Sequence, residues 1–282
     1  MQEQALRILD DRNKAVALMR EAERLYETAV GLPKALDAGE AGFTVKASAF
    51  MSGRRRLEGV FHNPTVRGLQ SHFRARKLTT SSIADAGYDL WLPTRFRRIP
   101  AEEGVELVGS ADLFEINPDL EKRIADGGFG DRNSGRVKKG WLLLARSGQT
   151  YGLNGTLVIA NQFHEGKVVS DHVIRIAPRD NCKTRAGYLY VALSHPVLGR
   201  PMVKSLAYGS SIPEIDVVDI AALEIPRLAP KAEDQIAEMA ECAASLFASA
   251  DLLENQMGAN VDEMLSQLLA GDWTNFVPFA EA

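Results

Sequence analysis

At 282 residues, with 45% hydrophobic and 25% charged residues, the sequence has the balance of one large folded domain or two small ones. It contains no apolar run near the roughly 18 residues needed to span a bilayer, and the N-terminus MQEQALRILDDRNKAV lacks a signal-peptide core. The two distant cysteines, Cys182 and Cys242, make no CxxC pair and read as reduced thiols of a cytoplasmic protein, which argues against a zinc site or a disulfide framework.

Net charge is −4, and its distribution is uneven. From Phe43 to Ala229 there are 26 Lys and Arg against 19 Asp and Glu, and the acidic excess lies in the two ends. A basic centre between acidic ends keeps a nucleic-acid partner open despite the negative total.

In chain order, residues 4–32 predict an amphipathic helix within an N-terminal segment 1–33. Ile8, Ala15, Leu18, Ala22, Leu25, Ala29 and Leu32 form a narrow heptad-like seam, and Gly31-Leu-Pro33 stops it. Residues 43–229 predict a mixed α+β domain. Strand-like runs are Trp141–Ala145, Thr156–Ala160, Val168–Ala177, Tyr188–Leu193 and Leu223–Ile225, and helix-like runs are Pro64–Lys77 and Pro196–Leu206. No regular βαβ alternation occurs, which argues against a doubly wound sheet. Residues 230–272 predict a second long helix, with Ile236, Met239, Ala243, Leu246, Ala250, Leu253, Met257 and Met264 on its seam, followed by a tail, 273–282. Each helix would run roughly 40–60 Å. Together they predict a coiled-coil-like spacer beside one α+β domain.

Catalytic motifs are missing. Gly148, Gly152 and Gly155 recur like a phosphate loop, but the next residue is Thr156, where a Walker A loop needs Lys. The dinucleotide fingerprint is absent, and Asn63-Pro64-Thr65 and Asn117-Pro118-Asp119 do not match an adenine methyltransferase segment. Asp119, Glu121 and Lys122 read as a helix start with solvated charges rather than a nuclease site. The five histidines make no HxxxH or HExxH pair, and His172, alternating with apolar residues, reads as a structural strand histidine. Ser147 sits in no G-x-S-x-G elbow. The pattern is that of a binding protein.

Seven segments then fall in a recognisable order. Val105–Phe114 reads as a strand and turn, and Val137–Gly148 as a strand ending in Arg-Ser-Gly. Ser170–Ile176, Gly187–Leu193, Tyr208–Ile215 and Leu223–Pro226 follow, before a helix begins at Gln235-Ile236. In this order, over about 190 residues, the sequence resembles the target recognition domain of type I restriction-modification specificity subunits (HsdS-like), and Ile8–Asp11 resembles part of that family's conserved helix. It departs from the usual member in having one recognition domain instead of two. A symmetric homodimer, a pairing with another half-subunit and a place in a related phage-defence complex therefore all stay open.

The resemblance implies a non-catalytic chain that reads a half-site of double-stranded DNA and docks DNA methyltransferase subunits through its helices, while a separate restriction motor subunit cleaves. It implies no cofactor on this chain, with S-adenosylmethionine and ATP on the partners. Two alternatives remain: an interaction adaptor that has lost DNA binding, and a degenerate methyltransferase or nuclease, for which no motif is present.

Phosphate contacts call for Lys and Arg, and base edges call for Arg, Asn, Gln and other polar groups. The basic candidates are Arg54, Arg55 and Arg56; Arg95, Arg97 and Arg98; and Arg136, Lys138 and Lys139. The loop candidates are Arg146, Ser147, Gln149, Tyr151 and Asn154, with Tyr208, Ser210 and Ser211. The competing reading is a set of solvated faces and ordinary turns. Trp141 and Leu142–Leu144 read as core.

Overall fold

The computed structural model describes residues 2–33, 43–51, 56–126, 135–149 and 151–271. Arg54, Arg55 and the tail 273–282 lie outside the described residues. The N-terminal elements are the helices α1 (Gln2–Val30), α2 (Ala47–Met51) and α3 (Pro64–Ala75). The strands β1 (Thr79–Ser82), β2 (Tyr88–Trp91), β3 (Pro100–Val108), β4 (Arg123–Ile124), β5 (Leu142–Ala145), β6 (Leu157–Ile159), β7 (Val168–Val169) and β8 (Val173–Pro178) follow. The helices α4 (Ala186–Ser194), α5 (Arg200–Ser205) and α6 (Val217–Ala221), the strand β9 (Glu224–Arg227) and the helix α7 (Pro230–Leu269) complete the α+β fold. Among the described residues no helix is long and apolar enough to cross a membrane.

Both long helices form, but α1 ends at Val30, so Leu32 of the expected seam lies beyond it and is exposed. α1 ends as Gly31 turns to φ +77° and its N–H reaches Glu27 O at 2.7 Å. α7 opens on Pro230, whose missing N–H costs nothing in a first turn. The pair runs antiparallel. Arg12 meets Asp251 at 2.9 Å and Glu254 at 2.6 Å, while Tyr26, further along α1, lies in the field of Glu233 near the start of α7. The buried face of α7 is broader than a heptad seam and rich in alanine: Ala237, Ala240, Ala243 and Ala244 flank Ile236. Small residues let α7 receive α1 on one side and α4 on another. A Cβ at Gly187 of α4 would lie 2.3 Å from Ala237 O, so only glycine permits that approach.

Among the described residues the strands form three sheets. One is four-stranded and antiparallel, in the order β2-β8-β5-β6; a three-stranded sheet, β4-β3-β7, joins β3 to β7 in parallel; and β1 pairs with β9. The central strand β5 is covered on both faces. Leu142 and Leu144 enter the main core with Ile174, Ile176 and the helices, while Leu143 points with Val173 toward Val108 and Val169 of the three-stranded layer. A strand buried on both sides reads as a continuous apolar run, as Trp141–Ala145 does.

Four expectations are corrected here. Tyr188–Leu193 is helix α4, not a strand. Its six successive nonpolar or aromatic residues show no period because α1, α7 and β6 cover nearly every side. Val168–Ala177 is two strands in different sheets, parted at the Ser170-Asp171-His172 turn, and His172 lies in that turn. The helix expected over Pro196–Leu206 shortens to α5, which begins after Gly199. Asp119, Glu121 and Lys122 start no helix but lie in the chain leading into β4.

Candidate nucleic-acid interface

The strand register gathers several candidate residues at one end of the four-stranded sheet. Ala145 of β5 pairs with Val173 of β8, Trp91 of β2 pairs with Arg175 of β8, and Leu144 of β5 pairs with Leu157 of β6. The connection 146–156, the turn 170–172 and the segment that begins at Leu92 therefore emerge from the same end. The Arg146 N–H donates to His172 O at 3.1 Å, and Arg98 pairs with Asp171.

A second loop is fastened to the first. Tyr208 and Glu214 exchange backbone hydrogen bonds at 2.9 and 2.8 Å, closing a small hairpin around Gly209–Pro213. Ile215 N–H donates to Arg146 O at 3.0 Å and Gly148 N–H to Pro213 O at 3.1 Å. Asn154 is fully buried, and its Nδ2 donates to Pro213 O at 2.7 Å, Gly148 O at 3.1 Å and Arg146 O at 3.2 Å. The Gln149 amide donates to Ser211 O at 2.9 Å. Gly155, at φ +75°, packs where a Cβ would stand 3.2 Å from Val203, bringing the first loop onto α5.

This double loop exposes a definite set of groups. Tyr151 is 88% exposed and Ile212 64%, and Gln149, Ser210 and Ser211 are also on the surface. At its base Arg146 Nη2 meets Glu214 Oε2 at 2.6 Å, and Ser147 Oγ donates to Glu214 Oε1 at 3.3 Å. The Arg146–Glu214 pair is partly open to solvent, so it is worth on the order of 1 kcal/mol or less. Arg95 and Arg97 are exposed on the segment that ends at Arg98.

Two basic residues beside the loops went unnoticed in the sequence. Lys204 of α5 donates to Gly152 O at 3.3 Å, and its pKa is lowered by burial and by the neighbouring Arg200 charge. Arg200 and Lys204 are four apart in a helix, the spacing that puts two side chains on one face. That spacing was legible within Pro196–Leu206.

Other candidates are placed elsewhere. Arg56 does not join a basic surface: it is buried, donating to Leu206 O at 2.8 Å and Ala207 O at 2.9 Å, pairing with Asp219 at 3.0 Å and lying over the rings of Phe61 and Tyr208. Asn154 is likewise an internal tie rather than a surface reader. Tyr208, half-buried under that cation, serves the hairpin's foot. Lys138 and Lys139 are exposed but lie at the opposite end of β5, where Gly140 N–H donates to Ala160 O at 2.7 Å and the Lys139 N–H is bound by Glu165. Arg136 is engaged by Gly166 O at 2.6 Å and Asp126 at 2.7 Å. Among the described residues no group of three or more His, Cys, Asp or Glu side chains is arranged to hold a metal ion.

No protein-family profile matches the sequence, and no curated protein matches it. Among solved structures, the chain is similar to the type I restriction-modification S subunit from M. genitalium, with 12% identity over 96% of this chain and 57% of that one and a TM-score of 0.42. It is also similar to the HsdS subunit from Thermoanaerobacter tengcongensis, with 13% identity, 94% and 55% coverage and a TM-score of 0.42. A third, from work on complex assembly and conformational transition of the type I R-M system, gives 12% identity, 98% and 57% coverage and a TM-score of 0.43. The chain spans somewhat over half the length of each.

Proposed function

We propose that this chain is a non-catalytic, sequence-reading DNA-binding subunit of a type I-like restriction-modification system. The observation that carries this reading is the double loop at one end of the four-stranded sheet. Two hairpin connections, tied to each other by backbone bonds and by the buried Asn154, present Gln149, Tyr151, Ser210 and Ser211 on a rigid scaffold. Arg95, Arg97, Arg200 and Lys204 flank them as phosphate contacts. Loops held this firmly bind without a large ordering cost.

In this reading one domain takes one half-site, and the antiparallel pair α1–α7 is the surface that docks methyltransferase subunits and sets the distance to a second recognition domain. S-adenosylmethionine and ATP belong to those partners.

The test is the salt dependence of binding to a mixed-sequence duplex, followed by fluorescence anisotropy. Arg95→Glu with Arg97→Glu is expected to weaken binding about tenfold and to reduce the slope of log K against log salt by about 2, since each phosphate contact contributes roughly 0.9. Lys138→Glu with Lys139→Glu, at the other end of β5, is expected to leave the slope nearly unchanged. Equal effects of the two pairs would refute the assignment of the face, and unchanged binding in both would favour the adaptor reading.

A further inference from the structure

The geometry points to Glu214 as a specificity-determining residue that works with Arg146 to read one G·C base pair: Arg146 donates to guanine, and Glu214 accepts from the paired cytosine. This rests on the DNA-reading assignment above.

The two side chains form one unit before any DNA arrives. Arg146 Nη2 lies 2.6 Å from Glu214 Oε2, and Ser147 Oγ holds the other carboxylate oxygen at 3.3 Å. Their backbones are held as well: Arg146 O accepts from Ile215 N–H, and Glu214 is bonded through both its N–H and its C=O to Tyr208. Donor and acceptor are thus presented side by side from two different loops, at the foot of the exposed group that includes Tyr151 and Ile212.

In the major groove, guanine shows two acceptors, N7 and O6, and its paired cytosine shows the N4 amino donor. An arginine beside a carboxylate is the complement of that edge. The same pair fits other edges poorly. An A·T pair reads acceptor, donor, acceptor across the groove: the adenine N6 amino group stands where guanine O6 would receive Arg146, and thymine O4 stands where the cytosine amino group would meet Glu214. A carboxylate among phosphates is also unfavourable unless it finds a donor, so Glu214 weakens binding wherever no base amino group stands opposite it. Both side chains of the ion pair are partly exposed to solvent, 23% for Arg146 and 32% for Glu214.

The test is selection of bound duplexes from a randomised pool by the wild-type chain and by Glu214→Gln, with folding checked by circular dichroism. The wild type is expected to enrich a motif containing a G·C pair that the glutamine variant no longer requires. At that position the preference should fall about tenfold or more and extend to A·T, because Gln reads adenine, while the other positions keep their preferences. Affinity for mixed-sequence duplex should rise several-fold. If Glu214→Gln does not fold, Arg146→Gln is read instead, and the same single position should change. An enriched wild-type motif left unchanged by a folded variant, or altered at every position, overturns the role of Glu214 alone. A wild-type chain that binds no duplex overturns the DNA-reading assignment with it.

Discussion

Arg175→Met is expected to lower the unfolding free energy by about 3–5 kcal/mol, the range for stripping one partner from a buried charged network. Arg175 is fully buried on β8. Its guanidinium donates to Ser170 O at 2.7 Å, Gly135 O at 3.1 Å, and the carbonyls of Val173 and Val169. It therefore pins β7 and the Gly135 stretch against the four-stranded sheet. Methionine fills much of the volume but removes the guanidinium from all four carbonyls; Gly135 O and Ser170 O keep the Val169 and Val173 N–H groups, and a buried carbonyl left with no donor costs about 1–3 kcal/mol. Burial pulls the Arg175 pKa down to about 9, with Asp171 opposing. Urea denaturation followed by circular dichroism measures the change, and a variant within 1 kcal/mol of wild type would contradict it. The loss should spread to the interface, because the turn beside Arg175 carries His172, which holds Arg146, and Asp171, which holds Arg98.

The second large effect is on acid stability. His164 is buried, with Nδ1 2.8 Å from Asn161 Oδ1 and its ring edge-on to Phe163, while Asn161 donates to Ala244 O of α7 at 3.0 Å. Burial, and then the Lys167 charge, push its pKa down to about 4. The unfolded chain, with a histidine pKa near 6.5, takes up the proton first as the pH falls. The neutral ring's contribution is therefore whole above about pH 6.5, declines between there and about 4, and amounts to about 3 kcal/mol at 1.36 kcal/mol per pKa unit. Urea midpoints of wild type and His164→Gln, taken between pH 7.5 and 4.5, should diverge in slope, with the variant losing less on acidification. Parallel pH profiles would exclude His164 as the source.

Much of the architecture was legible because periodicity reports burial. The seams of α1 and α7, the apolar run of β5 and the start of α3 at Pro64 each follow from a local rule; the Asn63 side chain, which accepts the Thr65 N–H there, completes the cap. What failed was decided by tertiary cover. Tyr188–Leu193 is buried nearly all round, so its sequence carries no period. Arg175 alternates like a solvent-facing residue, but the three-stranded layer lies over it. The basic clusters show a related limit, since neighbours in sequence need not share a surface: Arg95 and Arg97 are exposed at the loop end of the sheet, but other members are not. Arg56 turns inward beneath Tyr208, and the length of β5 separates Lys138 and Lys139 from Arg146. The loop candidates fared differently: Arg146, Ser147, Gln149, Tyr151, Ser210 and Ser211 come together because Ile215 and Gly148 bond the two loops backbone to backbone. Of the remaining loop candidates, Asn154 is fully buried and Tyr208 half-buried at the hairpin's foot.

The most direct measurement is site-specific photocrosslinking to duplex DNA. A benzophenone side chain placed at position 151, at the exposed tip of the double loop, is expected to crosslink to duplex, and the same group at position 139, at the far end of β5, is not. Crosslinking from position 139 with none from position 151 would contradict a DNA-reading face at this end of the sheet.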